Sequence, residues 1–394
     1  MNHPDKHTRI KKLQETLAKQ NMDVALINLS RDVYYYTGTA QPACLLLVTP
    51  EDYRLFVKRA LDFVLEDVFI EKDKIEPDGS FKEALACLED MKINGGRLGV
   101  EMDVIPAGLY LKIKKLFHKF EITDVSHVIL QQRMKKDEEE ISFIKNACKI
   151  MDAGHGRIME TLTPGMTELQ LAAEVEYAHR RAGHEGNLSM RNFDFYISRG
   201  PLCAGQNLFR VSGFANTITG IGVSPAIPAG PSNTPINAGD LVVVDIPTCH
   251  NGYHSDQTRT YIIGNPSEQV ASLFQKLKEI SDVSIHFLKN GITCKELFDI
   301  AHGTAKELGV EAYFLGLEPR KGNFLGHGIG LDANEPPILF FNSEIPLKTN
   351  YVLTIEIHLT HPEFGAVKLE DVVRVGETHT EILTCTPREL FVIK

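Results

Sequence analysis

The chain has 394 residues, a formal net charge of −10 at pH 7, 43% hydrophobic residues and 24% charged residues. These values are typical of a globular enzyme, and the length exceeds the size at which a single hydrophobic core keeps growing, so two domains are expected. No sustained basic stripe accompanies the acidic charge, which excludes the usual footprint of a nucleic-acid-binding protein.

The sequence also argues against a membrane or secreted protein. No stretch approaches the ~20 apolar residues of a membrane span, and residues 1–6 lack the apolar core of a secretory signal. The seven cysteines form no Cys-x-x-Cys pair, and their odd number argues against a disulfide framework. We therefore expect a cytoplasmic protein with reduced thiols, no membrane partner and a small-molecule or peptide substrate.

The first 130 residues alternate helical and strand patterns. Apolar residues spaced as in an amphipathic helix begin at Ile10, and a second helical pattern covers residues 109–117. The strand-like runs are residues 24–28, 44–48 and 97–101. Residues 1–130 are therefore predicted to form an α/β domain with a mixed or parallel sheet, and residues 131–394 a second domain that opens on a long helix.

The second domain contains an internal repeat. Residues 165–170 (Gly-Met-Thr-Glu-Leu-Gln) recur as residues 291–296 (Gly-Ile-Thr-Cys-Lys-Glu), and each copy begins a helical pattern that ends in a glycine. In both copies the threonine can cap the helix while the Gln or Glu three positions later completes a capping box. The pattern predicts two related halves, a pseudo-two-fold domain with the functional site between them. The alternative is two ordinary helix caps that match by chance.

Five potential metal ligands follow in the last 150 residues. Asp245 and Asp256 flank an apolar run and an Asn-Gly turn, which predicts a hairpin that places two carboxylates side by side. His327 lies in Gly-His-Gly, where glycines allow close backbone approach, and Glu356 and Glu370 each end an apolar strand-like run. Four carboxylates and an imidazole form a hard, oxygen-rich site, which suits two adjacent divalent ions such as Mn²⁺, Co²⁺, Fe²⁺ or Zn²⁺.

These motifs, in this order, resemble metallopeptidase family M24, whose fold is called pita-bread and whose members include Xaa-Pro aminopeptidases, prolidases, methionine aminopeptidases and creatinases. Residues 133–141 (Arg-Met-Lys-Lys-Asp-Glu-Glu-Glu-Ile) resemble the segment that leads into the family's catalytic domain. Residues 33–38 (Val-Tyr-Tyr-Tyr-Thr-Gly) resemble an N-terminal motif of the creatinase and prolidase branch. The resemblance covers nearly the whole chain and is strongest to the Xaa-Pro aminopeptidase and prolidase branch.

The resemblance implies a dinuclear hydrolase that cleaves short peptides near a free N-terminus. Asp245, Asp256 and Glu370 would bind and bridge the ions, and His327 would bind one of them. Glu356 resembles the family glutamate that binds metal and also accepts the proton of the attacking water. By resemblance alone, a homodimer is expected.

The chain departs from the family around the substrate. Proline-specific members carry a histidine about seventeen residues before the first metal aspartate, whereas no histidine occurs here from residue 185 to 249. A second family histidine, in a His-Glu-x-Pro context, is Asn334 here. His358 lies two residues after Glu356 and His254 two residues before Asp256, so strand alternation places each beside a ligand. We predict His358 as a catalytic residue and His254 and Asn334 as substrate contacts.

Three functions fit these residues. The first is an Xaa-Pro aminopeptidase or dipeptidase, and the second is a non-peptidase C–N hydrolase of the same fold that acts on a small amide or amidino compound. The loss of both family histidines favours the second. A binding protein without turnover is the third, and the retained ligands weigh against it. The segment 193–235, rich in Gly and Pro, is predicted to shape the pocket.

Overall fold

The computed structural model describes residues 6–192 and 199–394. The chain divides into two compact units, one ending at Arg133 and the other beginning at Met134. Within the described residues, no helix combines the length and the apolar character needed to cross a membrane.

The N-terminal unit is built around one mixed six-stranded sheet. Its strands are β1 (Val24–Ile27), β2 (Cys44–Val48), β3 (Tyr53–Val57), β4 (Ile75–Pro77), β5 (Gly96–Val100) and β6 (Phe120–Asp124). Its helices are α1 (Lys6–Lys19), α2 (Ser30–Thr37), α3 (Leu61–Asp67), α4 (Phe81–Asp90), α5 (Ala107–Leu116) and α6 (Ser126–Met134). The order is β4-β3-β2-β1-β5-β6, with β1 antiparallel to β2 and parallel to β5. The predicted α/β domain with a mixed sheet is confirmed.

The predicted elements of this unit are found where the apolar pattern placed them. Ile10, Leu13 and Leu17 are the buried face of α1, since each is at most 5% exposed. The three strand-like runs are β1, β2 and β5, and the second helical pattern lies in α5. All four residues of β1 are buried, as expected for a central strand covered on both faces.

The C-terminal unit combines two pairs of helices with strands that are antiparallel except where β11 pairs with β17 in parallel. Its helices are α7 (Glu138–Thr161), α8 (Glu168–Arg181), α9 (Glu268–Phe287) and α10 (Cys294–Glu307). Its strands are β7 (Leu202–Ala204), β8 (Leu241–Asp245), β9 (Thr248–His250), β10 (Tyr253–Ser255), β11 (Thr258–Ile263), β12 (Phe324–Gly328), β13 (Glu335–Phe340), β14 (Val352–His361), β15 (Gly365–Arg374), β16 (Glu381–Ile382) and β17 (Phe391–Ile393). One sheet has the order β17-β11-β8-β7, another has β13-β12-β14-β15-β16, and β9 pairs with β10.

The internal repeat is confirmed. Thr167 and Thr293 both cap their helices in complete capping boxes, and α8 and α10 are each 14 residues long. Each follows a long helix, α7 or α9, and each ends before a glycine with positive φ, Gly183 or Gly309. The helices α7 and α8 pack on β8 and β11, whereas α9 and α10 pack on β14 and β15. The two halves are therefore built alike.

The repeat extends into the strands, where the sequences no longer match. Gly165 N–H donates to the Ile236 carbonyl at 2.8 Å, and Gly291 N–H donates to the Leu347 carbonyl at 2.8 Å. The chain then runs into β8 in the first half and into β14 in the second. Asp245 and Glu356 stand at the same distance along the chain after these contacts. Each half thus contributes one antiparallel strand pair, β8 with β11 and β14 with β15.

Candidate metal centre

Asp245 and Asp256 lie on an interrupted hairpin. The turn residues Asn251 and Gly252 both have positive φ, 49° and 75°, as a two-residue turn of this type requires. Asp245 is the last residue of β8, and Asp256 lies two residues before the start of β11, whose first residue Thr258 pairs with Asp245. The predicted hairpin is confirmed, but both carboxylates lie at the break between its two paired segments. At such a break the side chains need not alternate between the two faces of the sheet as they do in a regular strand pair.

Glu356 and Glu370 are direct cross-strand partners in β14 and β15. The sequence interpretation that each glutamate ends its apolar run was wrong, because β14 continues to His361 and β15 to Arg374. Both strands are buried along almost their whole length, so the glutamates interrupt an apolar strand from within. Two carboxylates facing each other in a buried sheet are unfavourable unless a cation lies between them.

His327 is oriented by its own backbone. Its Nδ1 lies 3.0 Å from the carbonyl oxygen of Gly328, which assigns the proton to Nδ1 and leaves Nε2 as the free lone pair toward the carboxylates. Nε2 lies 3.6 Å from Glu356 Oε1, and burial lowers the pKa of His327, which keeps the imidazole neutral. Gly326 has φ of 151°, and a side chain there would overlap the Thr354 carbonyl. The prediction that glycine allows a close backbone approach is confirmed at Gly326, which lies against the Thr354 carbonyl.

The donor set fits a divalent cation. One ligand atom each from Asp256, His327 and Glu370 lies within 4.8 Å of the other two. Oδ1 of Asp256 and Oε1 of Glu370 are buried and have no hydrogen-bond partner within the described residues. Burial and the neighbouring carboxylates raise the pKa of Asp256, and burial raises that of Glu370 to about 8. Buried carboxylate oxygens without donors carry a large desolvation cost, which coordination to a metal ion removes.

Lys368 is the residue that the sequence interpretation missed. Its ammonium lies 2.6 Å from Asp245 Oδ2, 2.9 Å from Glu356 Oε2 and 3.5 Å from Glu370 Oε2. Burial alone would lower the pKa of Lys368, but these carboxylates raise it well above its usual range. The signal was present in the sequence, since a lysine two residues before Glu370 in an apolar run shares its face of the strand.

Two threonines of β11 join the halves at the site. Thr258 donates its hydroxyl to Glu370 Oε2 at 2.7 Å, and Thr260 donates its hydroxyl to the Lys368 carbonyl at 2.7 Å. Alternation places both hydroxyls on one face of β11. Strand β11 of the first half therefore holds Lys368 and Glu370, which β15 of the second half contributes to the site.

The three residues predicted near the substrate have different surroundings. His358 is buried, is the cross-strand partner of Lys368, and has its pKa lowered to about 3 by burial and by that ammonium. His254 is fully buried, and its ring nitrogens lie 3.0 Å from the Gly330 carbonyl oxygen and 3.0 Å from the Ser189 amide nitrogen. Asn334 is half-buried in the turn before β13. The contacts of His254 give it a positioning role between two loops.

Part of the predicted pocket segment is anchored by Glu168 of α8. Its carboxylate accepts the amide of Ala204 at 2.8 Å and the amide of Ser232 at 2.9 Å, so it ties together two points of the segment 193–235. Residues 193–198, which belong to the same prediction, lie outside the described residues.

Comparisons with known proteins identify the family and the fold. The model of metallopeptidase family M24 matches residues 142–377, and that of the creatinase/prolidase N-terminal domain matches residues 9–135. An Xaa-Pro dipeptidase from Pyrococcus horikoshii is 31% identical over 97% of this chain and 98% of its own length. The crystal structure of the prolidase from Pyrococcus horikoshii has a TM-score of 0.79 at 29% identity and covers 97% of this chain and 99% of that chain. An Xaa-Pro dipeptidase from Bacillus anthracis has a TM-score of 0.83 at 23% identity, with 98% and 100% covered, which shows the shared fold.

Proposed function

The chain belongs to metallopeptidase family M24, and we propose on that premise that it is a metal-dependent dipeptidase or aminopeptidase of the Xaa-Pro type. Its substrates are short peptides with a free N-terminus. The observation that carries the proposal is the cluster of Asp256, His327 and Glu370, whose ligand atoms converge within 4.8 Å in a buried site. Similarity to Xaa-Pro dipeptidases over nearly the whole chain supports the reaction class.

We propose Asp245, Asp256, His327, Glu356 and Glu370 as the metal ligands. When bound, divalent ions would supply Lewis-acid polarisation of the scissile carbonyl and would acidify the attacking water. Glu356 is the general base of the proposal, since its buried carboxylate faces the same cluster, with Oε1 3.6 Å from His327 Nε2. The Nδ1 contact to the Gly328 carbonyl orients the His327 ring, so that Nε2 faces the same cluster as a potential ligand.

His358 is the proposed catalytic histidine. A ring with a pKa near 3 is neutral at pH 7, so it would meet the substrate as an uncharged imidazole with one donor and one acceptor nitrogen. Asn334 is proposed as a substrate contact in place of the family histidine. Amide groups can hydrogen-bond a peptide but cannot shuttle its proton.

The number and identity of the ions belong to the proposal as well. Four carboxylates and one imidazole give enough hard ligands for two ions, and Mn²⁺, Co²⁺, Fe²⁺ and Zn²⁺ all suit such a set. We propose that the protein is a homodimer. We also propose that it is cytoplasmic, which its seven free cysteines support. We also propose that residues 1–130 form an N-terminal domain and that residues 131–394 form the catalytic domain.

The small-amide hydrolase is not favoured, because the similar proteins include Xaa-Pro dipeptidases that match nearly the whole chain. The test is a panel of Xaa-Pro dipeptides, Xaa-Pro tripeptides, non-proline dipeptides and small amides, offered to metal-loaded protein. The proposal expects cleavage of an Xaa-Pro dipeptide or tripeptide at a kcat/KM at least about tenfold above that of the non-proline peptides. Cleavage of a small amide but of no peptide would overturn it.

A further inference from the structure

A cavity lies on the face of β8 that is turned away from the proposed metal centre. Asp245 points toward β15, where its carboxylate contacts Lys368. The neighbouring residues Val244 and Ile246 pack with α7 and α8 instead, because successive residues of a strand point to opposite faces. Ile246 and the following Pro247 form one wall of the cavity. The cavity and the metal centre therefore lie on opposite faces of β8.

The cavity has the size and the lining of a site for a small polar molecule. Its volume is about 300 Å³, at the small end of ligand pockets, which suits a molecule as large as one amino acid. The other walls are one face of α8 and the loop that follows it, including residues 184–186 and Arg199. Their polar side chains fall into two groups, one of hydrogen-bond acceptors and one of guanidinium donors.

The acceptors are Glu176 and His179, which lie one turn apart on the same face of α8. His179 is buried, and its ring donates a hydrogen bond to the Met151 carbonyl of α7. Nδ1 is the nitrogen left over, and it has no hydrogen-bond partner among residues 6–192 and 199–394. Glu176 is half-buried, and its carboxylate has no ion-pair or hydrogen-bond partner in the same residues. Both side chains thus offer lone pairs without a donor.

The donors are Arg180 and Arg199, which lie over the same loop. Nη1 of Arg180 donates to the His184 carbonyl at 2.8 Å, and Nη1 of Arg199 donates to the Gly186 carbonyl at 2.6 Å. Gly186 has φ of 77°, and a side chain there would overlap the Arg180 guanidinium, so glycine allows this close approach. A guanidinium has five N–H donors, and these contacts use one on each arginine. The others can bind a carboxylate, for which the planar guanidinium is well suited.

The two groups share the cavity without neutralising each other. Burial raises the pKa of Glu176, whereas the Arg199 guanidinium lowers it, so the two charges are close although no ion pair joins them within the described residues. A simple anion would face the Glu176 carboxylate, and a simple cation would face the guanidiniums. The three-ligand metal cluster found among the described residues lies at the metal centre and not here. A ligand that carries both charges fits best.

We propose that this cavity is a second binding site, which takes a free L-amino acid with an apolar side chain. The ammonium of the amino acid, with three donors, is bound by Glu176 and His179, and its carboxylate by Arg180 and Arg199. Its side chain contacts the apolar part of the lining, which is formed by Leu188, Ile246 and Pro247. This site goes beyond the proposed function, since it requires neither a metal ion nor a peptide.

The test is a calorimetric titration of chelator-treated full-length protein with L-leucine. One equivalent should bind, and the Kd should be at least about tenfold higher for N-acetyl-L-leucine, which lacks the ammonium, and for L-leucinamide, which lacks the carboxylate. Glu176→Gln and Arg199→Gln should each raise the Kd for L-leucine by at least about tenfold. Neither side chain belongs to the hydrophobic core, so both variants should fold, which circular dichroism verifies.

Matched controls are Glu174→Gln on the same helix, whose carboxylate pairs with Arg157 outside the cavity, and Arg181→Gln. Both should leave the Kd for L-leucine within about twofold of the wild-type value. Asn334→Ala should also leave it unchanged, because Asn334 belongs to the proposed substrate site.

Three results would overturn the proposal. They are no binding of L-leucine to the wild-type protein, equal affinity for L-leucine and its two derivatives, and binding that is lost in Asn334→Ala but kept in Glu176→Gln. The last result would place the amino acid at the metal centre. Because the titration involves no peptide cleavage, the proposed function can fail while this site is confirmed, and the reverse outcome is equally distinguishable.

Discussion

Glu356 and Glu370 face each other directly across β14 and β15, in the interior of the C-terminal unit. Each is at most 5% exposed, and burial raises the pKa of both carboxyl groups. Cross-strand pairs of like charge oppose sheet formation. The facing pair of glutamates therefore lowers the stability of the folded protein, and a cation bound between the two strands offsets this loss. Because metal binding and folding stability are linked in this way, the proposed ligands can be tested by unfolding experiments without a substrate.

Glu370→Gln should separate stability from metal binding. The amide removes a carboxyl group whose pKa burial raises to about 8, so the metal-free variant should be more stable than metal-free wild type by on the order of 1–3 kcal/mol. It also loses a ligand, so added Mn²⁺ should raise its Tm by less than half the wild-type shift. Thermal unfolding with and without Mn²⁺ measures both effects.

The control is Glu363→Gln, the same change in the exposed turn between β14 and β15. It should leave both the Tm and the metal-dependent shift unchanged. A Glu370→Gln variant that gains as much Tm from Mn²⁺ as wild type would remove Glu370 from the ligand set.

Arg259→Lys should destabilise the unit and weaken metal binding together. The buried Arg259 guanidinium donates to the main-chain carbonyl of Glu370 at 2.6 Å, to the Thr386 carbonyl at 2.7 Å and to Asp371 Oδ1 at 2.6 Å. A lysine cannot reproduce this planar set of donors, so at least one buried acceptor loses its partner, at a cost of about 2–4 kcal/mol in the free energy of unfolding. Urea denaturation measures the loss, and Mn²⁺ titration should show weaker binding than in the wild-type protein. An Mn²⁺ affinity equal to that of wild type would mean that Arg259 does not position Glu370.

Two glycines of helix α7 should respond oppositely to alanine. A Cβ at Gly154 would overlap Nε2 of the buried His179, whereas a Cβ at Gly156 meets nothing within 4 Å. Gly156→Ala should therefore stabilise the protein by about 0.5–1 kcal/mol, since alanine is the better helix former. Gly154→Ala should destabilise it by about 1–3 kcal/mol through overpacking. Chemical denaturation of the two variants measures the sign of each change in the free energy of unfolding. A stabilising Gly154→Ala would show that His179 moves freely.

His179 should make the protein less stable in mild acid. Burial, and then the neighbouring His184, lower the pKa of His179 to about 4, below its unfolded value of about 6.5. The unfolded chain therefore takes up the proton first, and stability is lost as the pH falls from about 6.5 toward 4, by up to about 3 kcal/mol. His179→Leu should flatten the profile of unfolding free energy over this range. An unchanged slope in the variant would assign the acid sensitivity to other groups.

Much of the fold could be read from the sequence because its signals are local. The capping boxes at Thr167 and Thr293 and the glycines at the ends of α8 and α10 are short-range patterns with one physical meaning. The same holds for the hairpin turn at Asn251 and Gly252. Order along the chain was enough to predict five candidate ligands, and three of them, Asp256, His327 and Glu370, lie within 4.8 Å of one another in the structure.

The charge balance of the site could not be read in the same way. Whether Lys368 contacts Asp245 depends on how β11 packs against β15 of the other sheet, as in the hydrogen bond from the Thr260 hydroxyl to the Lys368 carbonyl, which joins residues more than 100 positions apart. The role of His254 likewise depends on Gly330 and Ser189, which no local pattern connects. Such contacts follow from topology, whereas strand alternation fixes only the face on which a side chain lies.

Hydrolysis of an Xaa-Pro dipeptide by metal-stripped protein, before and after Mn²⁺ is restored, tests the central claim most directly. The account predicts no cleavage without metal, recovery with metal, and a kcat at least about 100-fold lower for Glu356→Gln, which lacks the proposed general base. Cleavage that persists in the stripped protein, or full activity in Glu356→Gln, would contradict the account.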